Sequence, residues 1–198
     1  MTGKNKLSQG LVQVYTGEGK GKTTSALGLG LRAVGHGFKV TMVQYLKGNT
    51  FTGELYAAER LPGFTIKQFG KGCPYAAMIK EGLMECIGCG ECSVREGEQS
   101  EQQEFVNLAY QYSKEILREG ETDIVILDEI NNALRFELLT VEQVQKLIEL
   151  KGEHTELILT GREIPREIIE LADLVTEMKA VKHPYKEQGI RSRRGVEY

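Results

Sequence analysis

The chain has no tryptophan, only 4 prolines and a formal net charge of only −3 across 198 residues. The near balance of 25 Lys and Arg against 28 Asp and Glu removes the general electrostatic case for a nucleic-acid binder. No apolar stretch is long enough to span a bilayer, and Met1-Thr2-Gly3-Lys4-Asn5-Lys6 leads into no apolar run of the signal-peptide type. The expected setting is the cytoplasm, with no membrane partner. Cysteine is scarce too: the 4 present all fall between Cys73 and Cys92, so they form one local cluster and not a framework stapling the fold. In a reducing compartment that points to metal before disulfide.

What is present is organised around one stretch. Val12 to Tyr15 reads as a buried strand, Thr16-Gly17-Glu18-Gly19-Lys20-Gly21 as a glycine-rich turn, and Lys22-Thr23-Thr24 as the opening of a helix. Backbone N–H groups of such a turn point into one concavity, and the helix start adds partial positive charge. Lys22 then reaches the phosphates and the Thr23 hydroxyl ligates magnesium. Residues Thr16 to Thr24 are therefore the expected nucleotide-phosphate cradle. The motif G-x-x-x-x-G-K-[ST] is altered at one point, where Thr16 replaces the first glycine.

At 40% hydrophobic the sequence can fill a core, and its length suits one α/β domain over 1–198 carrying a small insertion at about 70–97. Residues 1–9 read as a loose polar tail. Strands are expected at about 11–16, 39–45, 64–69, 123–129, 156–160 and 174–178, and the first two as a parallel pair joined by a crossover. Helices are expected at about 22–35, 52–60, 100–118, 141–150 and 165–172. Gly28 and Gly30 interrupt the first helix, as glycines do where a helix packs closely on a neighbour. Ser100 with Gln103, and Thr140 with Gln143, fit the capping box. Phe105, Leu108, Ala109, Tyr112 and Ile116 are the expected buried face of the third long helical segment. His36 reads as a surface cap residue. Lys179, Lys182, Lys186, Arg191, Arg193 and Arg194 read as a solvated basic end.

Asp128 and Glu129 close an almost continuous apolar run, the pattern of a central parallel strand with two carboxylates at its ligand-binding edge. They are the expected partners of Thr23 in holding magnesium, directly or through water. Arg162 leaves another strand of the same set and shares that rim. Cys86-Ile87-Gly88-Cys89-Gly90-Glu91-Cys92 has the C-x2-C-x2-C spacing of bacterial ferredoxins, and Cys73 precedes a proline as a remote fourth ligand does. A 4Fe-4S cluster on Cys73, Cys86, Cys89 and Cys92 is the leading expectation; zinc and unligated thiols stay open.

The blocks Thr16 to Thr24, Arg32 to Gly37, Val43 to Gly48, Leu127-Asp128-Glu129, Thr160-Gly161-Arg162, Leu171-Ala172-Asp173, Val181 to Pro184 and Gly195 to Tyr198, in that order, resemble the ATP:corrinoid adenosyltransferases. That resemblance implies a RecA-like P-loop fold, a homodimer, and transfer of the 5′-deoxyadenosyl group of ATP to the cobalt of a reduced corrinoid, with triphosphate leaving. It implies that Lys22 and Glu129 are the catalytic pair and that Thr23, Asp128 and Glu129 serve magnesium. It further implies that Tyr75, Arg162 and His183 meet the corrinoid, and that a flavodoxin- or ferredoxin-like protein supplies electrons. The family often carries an aromatic-rich loop after the third strand, which helps remove the lower axial ligand of cobalt. Here Gly72-Cys73-Pro74-Tyr75 stands in that place, and a cluster there would act as a staple or an electron relay. Rival readings are a kinase of the thymidine kinase type and a carrier that binds without turnover.

Overall fold

The computed structural model describes residues 6–48, 52–92 and 99–198; the start of the expected polar tail and the end of the expected insertion lie outside the described residues. Six strands form one sheet in the order β3-β2-β4-β5-β1-β6: β1 (Val12–Thr16), β2 (Val40–Tyr45), β3 (Phe64–Phe69), β4 (Ile124–Asp128), β5 (Glu156–Thr160) and β6 (Leu174–Glu177). Every neighbouring pair runs parallel. The expected pairing of β1 with β2 is corrected, because β4 and β5 lie between them. All residues of β4 and β5 are buried, so these two strands need neighbours on both edges and helices on both faces, and they take the centre.

The alternation of side chains across each strand builds two cores. Ile124, Ile126, Met42 and Ile158 face the long helix α1 (Lys22–Gly35) and the short α2 (Gly53–Ala58). Val125, Leu127, Val43 and Leu159 face α4 (Gln99–Glu119), α5 (Ile130–Arg135), α6 (Val141–Leu150) and α7 (Arg166–Ile169). Three short helices, α3 (Ala76–Lys80), α5 and α8 (Pro184–Gln188), fall where the sequence suggested none.

The packing divides the two helix glycines. A Cβ on Gly30 would come within 2.6 Å of the Phe64 ring, whereas one on Gly28 would meet nothing within 4 Å. Close packing therefore explains Gly30 alone. The Thr140 capping box of α6 is present in both directions, with Gln143 N–H on Thr140 Oγ1 at 3.2 Å and Thr140 N–H on Gln143 Oε1 at 2.8 Å. The Ser100 box is not formed: Ser100 lies inside α4, and Gln103 Nε2 donates instead to Leu138 O at 3.0 Å.

The buried face of α4 also turns out different. Val106, Ala109, Tyr110, Ser113, Ile116 and Leu117 are buried, while Phe105 and Leu108 are exposed. Small Ala109 and Ser113 leave room for β2, whose Tyr45 hydroxyl shares a 2.8 Å hydrogen bond with Ser113 Oγ. A buried hydroxyl with that partner fixes the helix rotation better than another apolar contact would.

Candidate active site at the carboxyl edge of the sheet

Parallel register brings the carboxyl ends of β1, β2, β4 and β5 to one edge: Gln44 stands opposite Asp128, and Tyr15 opposite Thr160. After β1 the chain turns through Gly17 and Gly21, whose φ values of 100° and 120° suit glycine and disfavour other residues. Lys22 Nζ folds back over this turn and donates to Gly17 O at 2.7 Å and Gly19 O at 2.8 Å. Burial holds its pKa below the ordinary lysine value. One N–H of the turn is already used, since Gly19 donates to Met178 O at 2.7 Å, which leans the loop against the exit of β6.

Asp128 is the centre of the site and is fully buried. Its Oδ1 accepts from Thr23 Oγ1 at 2.8 Å and Thr160 Oγ1 at 2.7 Å; its Oδ2 accepts from Lys47 Nζ at 2.9 Å and Gln44 Nε2 at 3.1 Å. Burial pushes the carboxyl pKa up, but the Lys47 charge and the bonds from Lys47, Thr160 and Thr23 outweigh it and hold the group below its ordinary value. Asp128 is thus ionised and not a solvated strand end. The glycine turn thus has its threonine tied to a buried carboxylate and its lysine folded over its own carbonyls.

The family model described as ATP:corrinoid adenosyltransferase BtuR/CobO/CobP matches residues 8–198. The chain belongs to this family. It is 35% identical over 191 residues to a corrinoid adenosyltransferase of Sinorhizobium sp., covering 96% of this chain and 81% of that protein. It is 32% identical over 190 residues to the corrinoid adenosyltransferase of Escherichia coli strain K12, covering 96% and 86%. The likeness therefore runs nearly the length of the chain and does not stop at the glycine turn.

The rest of this adenosyltransferase-family site is built beside Asp128. Glu129 takes the left-handed conformation at φ 61°, a strained choice for a side chain of its size, and its N–H donates to Thr160 Oγ1 at 3.0 Å. Its carboxylate accepts from Asn132 Nδ2. Burial, followed by the neighbouring Asp128 charge, raises the Glu129 pKa above the ordinary range. Asn132 Oδ1 in turn accepts from Arg162 N–H at 3.0 Å, and the Arg162 guanidinium pairs with Glu18 of the glycine turn at 3.1 Å. Gly161 makes this approach possible: its φ is 133°, and a Cβ there would lie 2.7 Å from Asn131 Cβ.

These bonds join Thr23, Asp128, Glu129, Glu18 and Arg162 in one site, and Lys22, bonded to its own loop, feels the charges of Glu129, Arg162, Glu18 and Asp128. Tyr75 and His183 are not bonded to that set among the described residues. Tyr75 precedes α3, and His183 caps α8 by accepting from Tyr185 N–H through Nδ1 at 3.3 Å. Sequence reasoning missed Gln44, Lys47, Thr160 and Asn132. A polar Gln44 inside an apolar strand was the available signal for the first.

Both Asp128 oxygens already accept two bonds each, so Thr23 and the less buried Glu129 are the residues that would touch a magnesium ion, with Asp128 behind Thr23.

The four cysteines are free of disulfides, with Cys89 exposed and the others partly buried. Burial, and then the nearby Cys73, Cys86 and Cys89 thiols, push the Cys92 pKa up, so the four share one neighbourhood. Among the described residues no three His, Cys, Asp or Glu side chains are gathered into a group that would hold a metal ion. Nor is any helix among them long and apolar enough to cross a membrane.

Proposed function

We propose that this chain transfers the 5′-deoxyadenosyl group of ATP to cobalt(I) of a corrinoid. The observation that carries this reading is the match of residues 8–198 to the adenosyltransferase family, in a chain whose phosphate loop is tied to buried Asp128. Cobalt(I) is itself a strong nucleophile. Its electron pair forms the cobalt–carbon bond to C5′ while the C5′–oxygen bond breaks, and triphosphate leaves with the electron pair of that broken bond. The protein needs no side-chain base; it must hold C5′ in line and neutralise the charge growing on the departing oxygen.

Lys22 is assigned the second task. It exchanges the Gly17 and Gly19 carbonyls for phosphate oxygens, an exchange favoured by the charge of the ligand. Thr23 and Glu129 are assigned to magnesium, which supplies further neutralisation when bound, with Asp128 orienting Thr23. The loop residues Thr16 to Thr24 are assigned to ATP, and Arg162, Tyr75 and His183 to the corrinoid side. The 70–97 segment is an insertion in a single domain, and its spacing supports a 4Fe-4S cluster, with zinc as the competing metal. A homodimer and a protein electron donor follow from the family resemblance.

The products test the reading. Incubation of ATP with a chemically reduced corrinoid is expected to yield adenosylcorrinoid and triphosphate in equal amounts. ADP with a phosphorylated acceptor would make it a kinase, and binding without triphosphate release would make it a carrier.

A further inference from the structure

Within eight residues the C-terminal segment grips two loops that are far apart in sequence. At one end Lys20 of the phosphate loop donates to Glu197 Oε1 at 2.8 Å and to Val196 O at 3.3 Å. At the other, Cys86 N–H donates to the Tyr198 hydroxyl at 3.3 Å, and Arg191 Nη1 donates to Ile87 O at 2.7 Å. The segment between is a compact turn. Gly195 N–H bonds Tyr198 O at 2.7 Å, Glu197 N–H bonds Arg193 O at 2.9 Å, and Arg193 holds the Glu197 carboxylate through Nη2 at 3.0 Å and Nε at 3.2 Å. The basic end is thus not simply a solvated surface.

We propose that residues 191–198 form a strap through which occupancy of the phosphate loop loosens the cysteine loop, an inference that rests on the phosphate-loop reading above. Lys20 is half exposed and held by the Val196 carbonyl and by one carboxylate that Arg193 already neutralises. A triphosphate offers several negative oxygens at once and draws Lys20 away. Glu197 stays with Arg193, the tie at the loop is lost, and the turn that carries Tyr198 is free to leave Cys86. Because coupling between two sites is reciprocal, ligation of the cysteines also shifts affinity for the triphosphate.

Hydrogen exchange with peptide mass spectrometry, on the full chain with inorganic triphosphate and magnesium, tests this. Residues 17–24 are expected to gain protection while residues 84–90 exchange faster, by about fivefold. In Tyr198→Phe the ring remains but the acceptor for Cys86 N–H is gone. There residues 84–90 are expected to exchange fast from the start and to ignore triphosphate, with residues 17–24 still protected. Protection of 17–24 with no change at 84–90 in the unaltered chain overturns the strap. So does a response at 84–90 that survives in Tyr198→Phe. Absence of protection at 17–24 removes the phosphate-loop reading, and the strap with it.

Discussion

Lys47 reaches across from the end of β2 to Asp128 at the end of β4, Nζ to Oδ2 2.9 Å, with the carboxylate fully buried and the lysine side chain 26% exposed. Burial works against the lysine charge, yet the Asp128 and Glu129 carboxylates together outweigh it and raise the Lys47 pKa. The pair is therefore charged throughout the physiological range. Its value lies in placing a compensated negative group behind Thr23.

Removing one partner should show this. Lys47→Met is expected to destabilise the fold by about 3 kcal/mol, the low end for breaking a buried pair because the lysine keeps some solvent. Urea unfolding measures it, and adding Asp128→Asn should recover part of the loss. The pH sign follows from the depressed Asp128 pKa. Its contribution is present above the unfolded carboxylate value and is lost as pH falls through the lower folded one. In Lys47→Met that loss should begin at higher pH, and an unchanged acid transition would show that Lys47 does not hold Asp128 ionised.

Glu129 has the opposite sign. Its raised pKa means that the folded state disfavours its charge, so stability falls as pH rises from the ordinary glutamate value through the raised one. Glu129→Gln keeps an oxygen for Asn132 Nδ2 and is expected to stabilise the protein at neutral pH by about 1 kcal/mol. Adenosylation should drop by roughly 10–100-fold. Thermal unfolding and turnover at pH 7 check both; a variant that is stabler and fully active would remove Glu129 from the chemistry.

Lys22 contributes little to the fold, since among the described residues its side chain bonds only carbonyls of its own loop. Lys22→Ala should unfold in urea much as the unaltered chain does while turnover falls by at least about 100-fold, the usual cost of losing a preorganised charge donor. Undiminished adenosylation would count against the assigned role.

The two helix glycines give a test of packing alone. Gly28 has open space around it, so Gly28→Ala should stabilise by about 0.5–1 kcal/mol through helix propensity. Gly30→Ala drives a methyl into the Phe64 ring and should cost about 1–3 kcal/mol. Chemical denaturation of the pair separates the two effects, and a stabilised Gly30→Ala would mean that Phe64 moves freely.

Much of this was legible in the sequence because it is local. Strand-forming runs, the glycine turn before Lys22 and the Thr140–Gln143 box each specify themselves within a few residues. What was illegible depends on register between distant segments. Gln44 and Lys47 join the site only because β2 lies against β4 with Gln44 opposite Asp128, and sequence alone suggested β1 as its neighbour. Asn132 bridges Glu129 and Arg162 because Glu129 takes a left-handed turn, which no composition rule anticipates for a glutamate. The rotation of α4 hinged on Ser113, a polar residue that apolar periodicity counts as surface.

The cysteine loop remains the sharpest chemical question, because its spacing and its geometry pull apart. Four thiols share a neighbourhood in which each would raise the cost of ionising Cys92, and thiolates so placed need a cation to be stable together. Burial and the nearby thiols favour the neutral form of Cys92, which is not drawn in to a common centre as a metal-bound thiolate would be. Binding of metal should therefore contract the loop. Protein purified without oxygen is expected to contain about four iron and four sulfide per chain, with a visible band bleached by reductant. Replacing Cys89 by Ser should remove the band. If the unaltered protein carries zinc and no sulfide, the loop is a structural closure. If it carries neither, the thiols are free and the ferredoxin-like spacing has no role in this chain.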